Sequence, residues 1–154
     1  MDKILIVDGD SSMRELVAQE LADDGDMVVA IGNPASIPDI LDTFEPDLLI
    51  LDVFMNGKTR WDVLLEVKKQ RPRLPIVIFT PSYPEGDLRR LPVGAWVVKG
   101  FLFDELKQKI REVLKRRVMG GSPPSLITQG VMKERNMGTL IGLQESGPWK
   151  TSIH

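Results

Sequence analysis

A doubly wound α/β fold is what this 154-residue sequence predicts, and three observations carry the prediction. Four short apolar runs, Ile4 to Val7, Leu48 to Leu51, Pro75 to Phe79 and Ala95 to Val98, are rich in Val, Ile, Leu and aromatics and lack two-residue alternation. Continuous runs of that kind mark strands buried on both faces, as in a parallel sheet. Segments with a helical apolar period lie between the runs. Each run also stops at a polar residue: Asp8, Asp52, Thr80 and Lys99.

Taken in order, Ile4 to Val7 is the first strand. Met13, Leu16, Val17 and Leu21 then follow a helical period, with Ser11 or Ser12 expected as N-cap and Glu15 placed for a capping box. Met27 to Ile31 is a weaker fifth apolar run. Ile37, Ile40, Leu41 and Phe44 predict a short helix with Pro38 in its first turn. Trp61, Leu64, Leu65 and Lys68 share one face of the next helix. Leu102, Leu106, Ile110, Val113 and Leu114 give the clearest amphipathic stripe, closed by Lys115-Arg116-Arg117, which suits a helix C-terminus and reads as a solvated end. Five strands in one small domain predict the flavodoxin-like order 2-1-3-4-5. Pro81, Pro84, Gly86 and Pro92 argue for a degraded fourth helix. The domain is expected over 1–118, and 119–154, opening on Gly120-Gly121-Ser122-Pro123-Pro124, reads as a Gly/Pro-rich linker and C-terminal tail.

Composition removes several classes of function. Hydrophobic residues make up 42% and charged residues 27%, which are globular proportions. The chain has no cysteine, which excludes disulfides, thiol catalysis and Cys-based zinc sites. Its one histidine, His154, is terminal, so a His-based triad is not expected. Net charge is -2 and gives no general push toward nucleic acid or membrane. No apolar run approaches the roughly 20 residues of a membrane span. Met1-Asp2-Lys3-Ile4 leads straight into a strand, so no signal peptide is expected. The expected location is cytoplasmic.

In an open parallel sheet, ligands bind beyond the carboxyl ends of the strands, at the switch point between the first and third. Asp8 and Asp52 should therefore face each other there, with Thr80 and Lys99 closing the other side. Two carboxylates in one crevice suit a divalent cation, magnesium above all. A lysine neutralises a phosphoryl group, a threonine hydroxyl bonds it, and an Asp carboxylate can itself be phosphorylated.

This constellation resembles the receiver domain of two-component response regulators, the CheY-like form of the fold. The matching stretches are Ile4-Leu-Ile-Val-Asp-Gly-Asp10, Pro46-Asp-Leu-Leu-Ile-Leu-Asp52, Pro75-Ile-Val-Ile-Phe-Thr80 and Ala95-Trp-Val-Val-Lys99, within residues 2 to 117. The resemblance implies that Asp52 is the phospho-acceptor, charged by a phosphohistidine donor, with Thr80 and Lys99 contacting the phosphoryl group. It implies a Mg2+ ion held by Asp8, Asp52 and the Phe54 backbone carbonyl, with Asp10 joining if Gly9 lets it turn inward. Thr80 and Trp96 take the switch positions. The implied partners are a sensor histidine kinase or phosphotransfer protein and a downstream protein. Neither nucleic acid nor membrane is expected, and a homodimer is one assembly this permits. The implied role is a stand-alone signalling receiver and not a conventional enzyme, at most phosphorylating and dephosphorylating itself.

The sequence departs from the family at three places. Gly9 replaces the second of two adjacent acids, Pro81 removes a backbone N–H after the switch threonine, and Gly100 replaces a cis proline, which predicts a different aim for Lys99. These motivate an alternative, a pseudo-receiver that binds a partner without phosphorylation. A third reading is a nucleotide-binding loop, Asn56-Gly57-Lys58-Thr59, which resembles the end of a P-loop but has Asp52 where that motif needs glycine. Asp8-Gly9-Asp10 does not make a calcium loop, because Met13 stands where that loop requires glycine.

Overall fold

The computed structural model describes residues 1–82, 93–100 and 102–118. The elements are β1 (Lys3–Val7), α1 (Ser11–Asp23), β2 (Met27–Ile31), a 3-10 turn (Pro34–Ser36), α2 (Ile37–Phe44), β3 (Leu48–Leu51), β4 (Phe54–Met55), β5 (Lys58–Thr59), α3 (Trp61–Gln70), β6 (Ile76–Thr80), β7 (Ala95–Val98) and α4 (Asp104–Val118). Five strands form one parallel sheet in the order β2-β1-β3-β6-β7, which is the predicted 2-1-3-4-5 once the short β4–β5 hairpin is set aside. The segment expected to hold a degraded fourth helix lies largely outside the described residues, as does 119–154.

The apolar runs behave as two-faced strands. Successive side chains point to opposite faces. Leu5, Val7, Leu49, Leu51, Ile76 and Ile78 therefore join the core under α2 and α3. Ile4, Ile6, Leu48, Ile50, Val77 and Phe79 join the core that Val17 and Leu21 of α1 and Leu106 and Ile110 of α4 cover. Burying each such side chain contributes roughly 1.5–3 kcal/mol, so both faces hold the sheet flat against its helices. The strand expected from Pro75 runs Ile76–Thr80, which makes Thr80 its last residue.

Three local expectations are corrected. Asp10, not Ser11 or Ser12, caps α1: its Oδ1 accepts from Ser12 N at 3.0 Å and Met13 N at 3.2 Å. Asp10 is the last extended residue before the helix, and a short carboxylate there satisfies two N–H groups that have no partner within the helix. Leu16 stands outside the buried stripe and is 55% exposed. Leu102 precedes α4 and is 79% exposed, so the stripe begins at Leu106. By contrast α2 runs Ile37–Phe44 with proline in its first turn, as expected, and left-handed Glu45 ends it.

Ion pairs tie the amino end of the sheet to α4. Arg111 Nη2 lies 2.6 Å and Nη1 3.2 Å from the two oxygens of buried Asp26. Arg117 donates to the Asp47 carbonyl at 2.6 Å, while Asp47 Oδ2 accepts from Lys3 N at 2.8 Å.

Lys68 sits on the buried side of α3, and its ammonium reaches only the Leu74 carbonyl, at 3.5 Å, among the described residues. Burial pulls its pKa down to about 8. Below that pH both folded and unfolded chains are protonated, and the folded chain carries the cost of a buried charge. Stability from this group therefore rises as pH climbs from about 8 to 10.5. Lys68→Met should stabilise the fold at pH 7, by at most about 3 kcal/mol, and so raise Tm. The gain should fade as thermal melts are repeated toward pH 10.5.

Candidate functional site

The site is assembled by register. β1 and β3 pair with Val7 opposite Leu51, so the next residues, Asp8 and Asp52, leave the sheet side by side. Backbone bonds continue the ladder past the strands: Asp52 N donates to Val7 O at 2.9 Å, Asp8 N to Ile31 O at 3.1 Å, and Lys99 N to Thr80 O at 2.8 Å. The four strand-end residues thus emerge at one edge because four parallel strands stop there together.

Lys99 joins the two carboxylates. Its Nζ lies 2.8 Å from Asp8 Oδ2 and 2.7 Å from Asp52 Oδ2. The expectation that Gly100 would aim it elsewhere is corrected: Lys99 Nζ lies over the Phe79 ring, 5.8 Å from its centroid, and reaches both acids. The remaining carboxylate oxygens are also satisfied. Asp8 Oδ1 accepts from Asp10 N at 2.9 Å and Asp52 Oδ1 from Phe54 N at 2.8 Å. Asp8 is 3% exposed and Asp52 4%, and Thr80 is buried with them.

Burial raises the Asp52 pKa above its ordinary value, against the pull of Lys99 and the Phe54 N–H. Burial alone would lower the pKa of Lys99. Its bonds to Asp52 and Asp8 outweigh that, so it stays protonated through the neutral range. The arrangement is a buried nucleophile candidate with a fixed positive charge at its side. One acidic neighbour, Asp8, shares that charge.

The donor set fits a magnesium ion only in part. Asp8 and Asp52 supply two carboxylates in one crevice, which suffices for an ion that keeps several waters. Asp10 does not join them, because its carboxylate is exposed and occupied with the α1 cap. Among the described residues no group of three or more Asp, Glu, His or Cys gathers around a common point.

Residues 56–59 do not form a phosphate loop. Asn56 and Gly57 both have positive φ, 52° and 75°, and turn a tight hairpin that pairs Phe54 with Thr59 and Met55 with Lys58. Two left-handed residues in a two-residue loop suit the right-handed twist of a hairpin, and Asn-Gly is the favoured pair. Lys58 is therefore an exposed strand residue, and the nucleotide-loop reading loses its structural basis. Inside the hairpin Met55 packs on the core, while Phe54 stays half-exposed beside the site.

Trp96 lies inward on β7 against the α2–α3 core, edge to face with Trp61 at 5.9 Å between centroids. Its indole N–H is buried without a hydrogen-bond partner among the described residues. Sequence reasoning missed two arginines. Arg60 grips Asp62 with two bonds near 3.0 Å and its N donates to Val53 O, closing the base of the hairpin. Arg14 donates to the Asp8 carbonyl. Neither lies on an apolar period, so nothing in the patterning pointed to them.

Residues 4–111 match the response regulator receiver domain family. The chain belongs to that family. A probable transcriptional regulator from Guillardia theta is 31% identical over 134 residues, covering 85% of this chain and 52% of the relative. The receiver thus spans about half the length of the curated relatives it matches. The response regulator TrrA of Thermotoga maritima, solved with Mg2+ and beryllofluoride, has 32% identity and a TM-score of 0.66, covering 73% of this chain and 99% of TrrA. The same protein was solved with the histidine kinase ThkA, at equal identity and TM-score over 74% of this chain and 99% of TrrA. Members of the family are signalling phosphoacceptors. No helix among the described residues of this receiver is long and apolar enough to cross a membrane.

Removing the shared ammonium leaves two buried carboxylates facing each other. Lys99→Met should destabilise the fold by about 3 kcal/mol if the loss resembles that of other broken buried pairs. Asp8→Asn in the same background should recover part of it. Chemical denaturation of the wild type, the two single variants and the double variant measures this coupling.

Proposed function

We propose that this receiver takes a phosphoryl group on Asp52 from a phosphohistidine donor and passes the signal on by protein contact. The observation that carries the reading is the Asp52 carboxylate, buried at the strand edge between the Lys99 ammonium and the Phe54 N–H, with Asp8 beside it. An Asp52 oxygen attacks phosphorus, the P–N bond to the donor imidazole breaks, and its electron pair returns to the ring. Lys99 then faces the added negative charge, and Thr80 offers its hydroxyl to a phosphoryl oxygen. Asp8 and Asp52, with the Phe54 carbonyl, would hold Mg2+, which supplies further charge neutralisation when bound. Thr80 and inward-packed Trp96 form the switch pair, the tryptophan moving when the threonine is drawn to the phosphoryl group.

In this reading residues 1–118 are the receiver and 119–154 the linker and tail, the protein acts in the cytoplasm, and a histidine kinase or phosphotransfer protein is the upstream partner. TrrA, the neighbour solved with a kinase, supports that choice. The relatives named as transcriptional regulators sit against the expectation that nucleic acid is no partner. For the receiver itself that expectation stands as a proposal, supported by Arg117, one of the three basic residues at the end of α4, being held by Asp47.

A second reading, a pseudo-receiver that binds its partner without phosphorylation, is favoured by the missing third carboxylate at Gly9 and the missing N–H at Pro81. A magnesium titration with and without beryllofluoride, read by tryptophan fluorescence, separates the two. The first reading expects a saturable, beryllofluoride-dependent change that disappears in Asp52→Asn. No change in the wild type would select the second.

The structure leaves room to repair the acid pair. A Cβ at Gly9 would meet nothing nearer than Met55, at 4.0 Å. Gly9→Asp should therefore fold normally and bind Mg2+ several-fold more tightly in the same titration.

A further inference from the structure

The strand-end acid Asp8 is anchored at every polar group it has. Its N–H goes to Ile31 O on β2, its Oδ1 accepts from Asp10 N, and its Oδ2 meets Lys99. The fourth anchor comes from outside the constellation: Arg14 Nη1, on the first turn of α1, donates to the Asp8 carbonyl oxygen at 2.7 Å. Among the described residues no carboxylate pairs with Arg14, so the guanidinium is placed by this carbonyl and not by an ion pair.

What makes room for the guanidinium is Gly32, the residue after β2. A Cβ built there would lie 2.6 Å from Arg14 Nη1, 3.2 Å from Cζ and 3.6 Å from Nη2, and these are its three nearest neighbours. The backbone at Gly32 is not left-handed, so an alanine fits the chain and collides only with Arg14. The glycine is a seat for the arginine.

The carbonyl that Arg14 holds belongs to the Asp8–Gly9 peptide. Gly9 has no side chain to restrict that peptide, and glycine gives the backbone its widest freedom. Pinning the carbonyl fixes the peptide plane, and with it the direction of the Asp8 side chain and the place of the Asp10 N–H that bonds it. We propose that Arg14, seated on Gly32, is a positioning residue for the site: it holds the Asp8 carbonyl and so keeps the Asp8 carboxylate aimed at Lys99 and Asp52 despite Gly9. The inference rests on the reading of Asp8 as part of the phosphoacceptor site.

The test is a double-variant cycle on the full chain with two readouts. The amide resonance of Asp10 reports the Asp8 carboxylate directly, since that N–H donates to Asp8 Oδ1. Arg14→Ala and Gly32→Ala should each shift it in the same direction, and the double variant should shift no further than Arg14→Ala. Labelling of Asp52 by acetyl phosphate should slow by about threefold to tenfold in each single variant, and the double variant should be no slower than Arg14→Ala. Arg14→Lys, which keeps a donor and a charge, should recover part of both effects. A merely structural role for Arg14 in α1 would leave the Asp10 amide, which reports the Asp8 carboxylate, and the labelling rate of Asp52 unmoved in folded variants. An unmoved Asp10 amide in Arg14→Ala, or strictly additive shifts in folded variants, overturns the proposal. A wild type that takes no label sinks the phosphoacceptor reading instead, and the amide cycle still decides whether Arg14 positions Asp8.

Discussion

Two buried carboxylates sharing one lysine ammonium form the constraint on which this receiver's site depends. Asp8 and Asp52 leave adjacent strands side by side, both buried, and burial raises the Asp52 pKa. Lys99 arrives from the far side of the sheet, two strands beyond Asp52, and touches both. The ammonium holds the acids together and the acids hold the ammonium protonated, so the three charges form a single unit. Breaking any one contact leaves an uncompensated buried charge, which is costlier than never having built the pair.

Everything around that unit serves to place it. The parallel register delivers the acids one residue past Val7 and Leu51. The Asp52 carboxylate takes the Phe54 N–H two residues on, as Asp side chains do in turns, and the β4–β5 hairpin that follows anchors Met55 in the core. Asp10 is spent on starting α1 in the right place, which is why it does not stand in for the acid missing at Gly9. The site is therefore sparer in negative charge than the family pattern implies, and Lys99 sets a fixed positive charge between its two acids.

Much of this was legible from the sequence because strands buried on both faces write themselves as continuous apolar runs. Each run in a parallel sheet also ends at the functional edge, so Asp8, Asp52, Thr80 and Lys99 announced themselves by position. Residues whose role comes from a polar contact across elements left no such trace. Arg14 and Gly32 are eighteen positions apart and lie on no shared period, yet the absent Cβ of one accommodates the guanidinium of the other. Leu16 and Leu102 fit a helical stripe on paper but face solvent, because a stripe fixes only spacing and the neighbouring element decides which part of it is covered.

By itself the sequence determined the α/β class and the identity of the four strand-end residues, since these follow from hydrophobic period and from where each period stops; the strand order came from the known doubly wound fold that five such strands fit. Only the tertiary structure decided the aim of Lys99, the duty of Asp10 as a helix cap, the hairpin made by Asn56-Gly57 and the hold of Arg14 on Asp8. Those depend on directions and distances between residues far apart in the chain. A linear pattern carries spacing along one segment, and it carries no information about which polar atoms of two segments will meet.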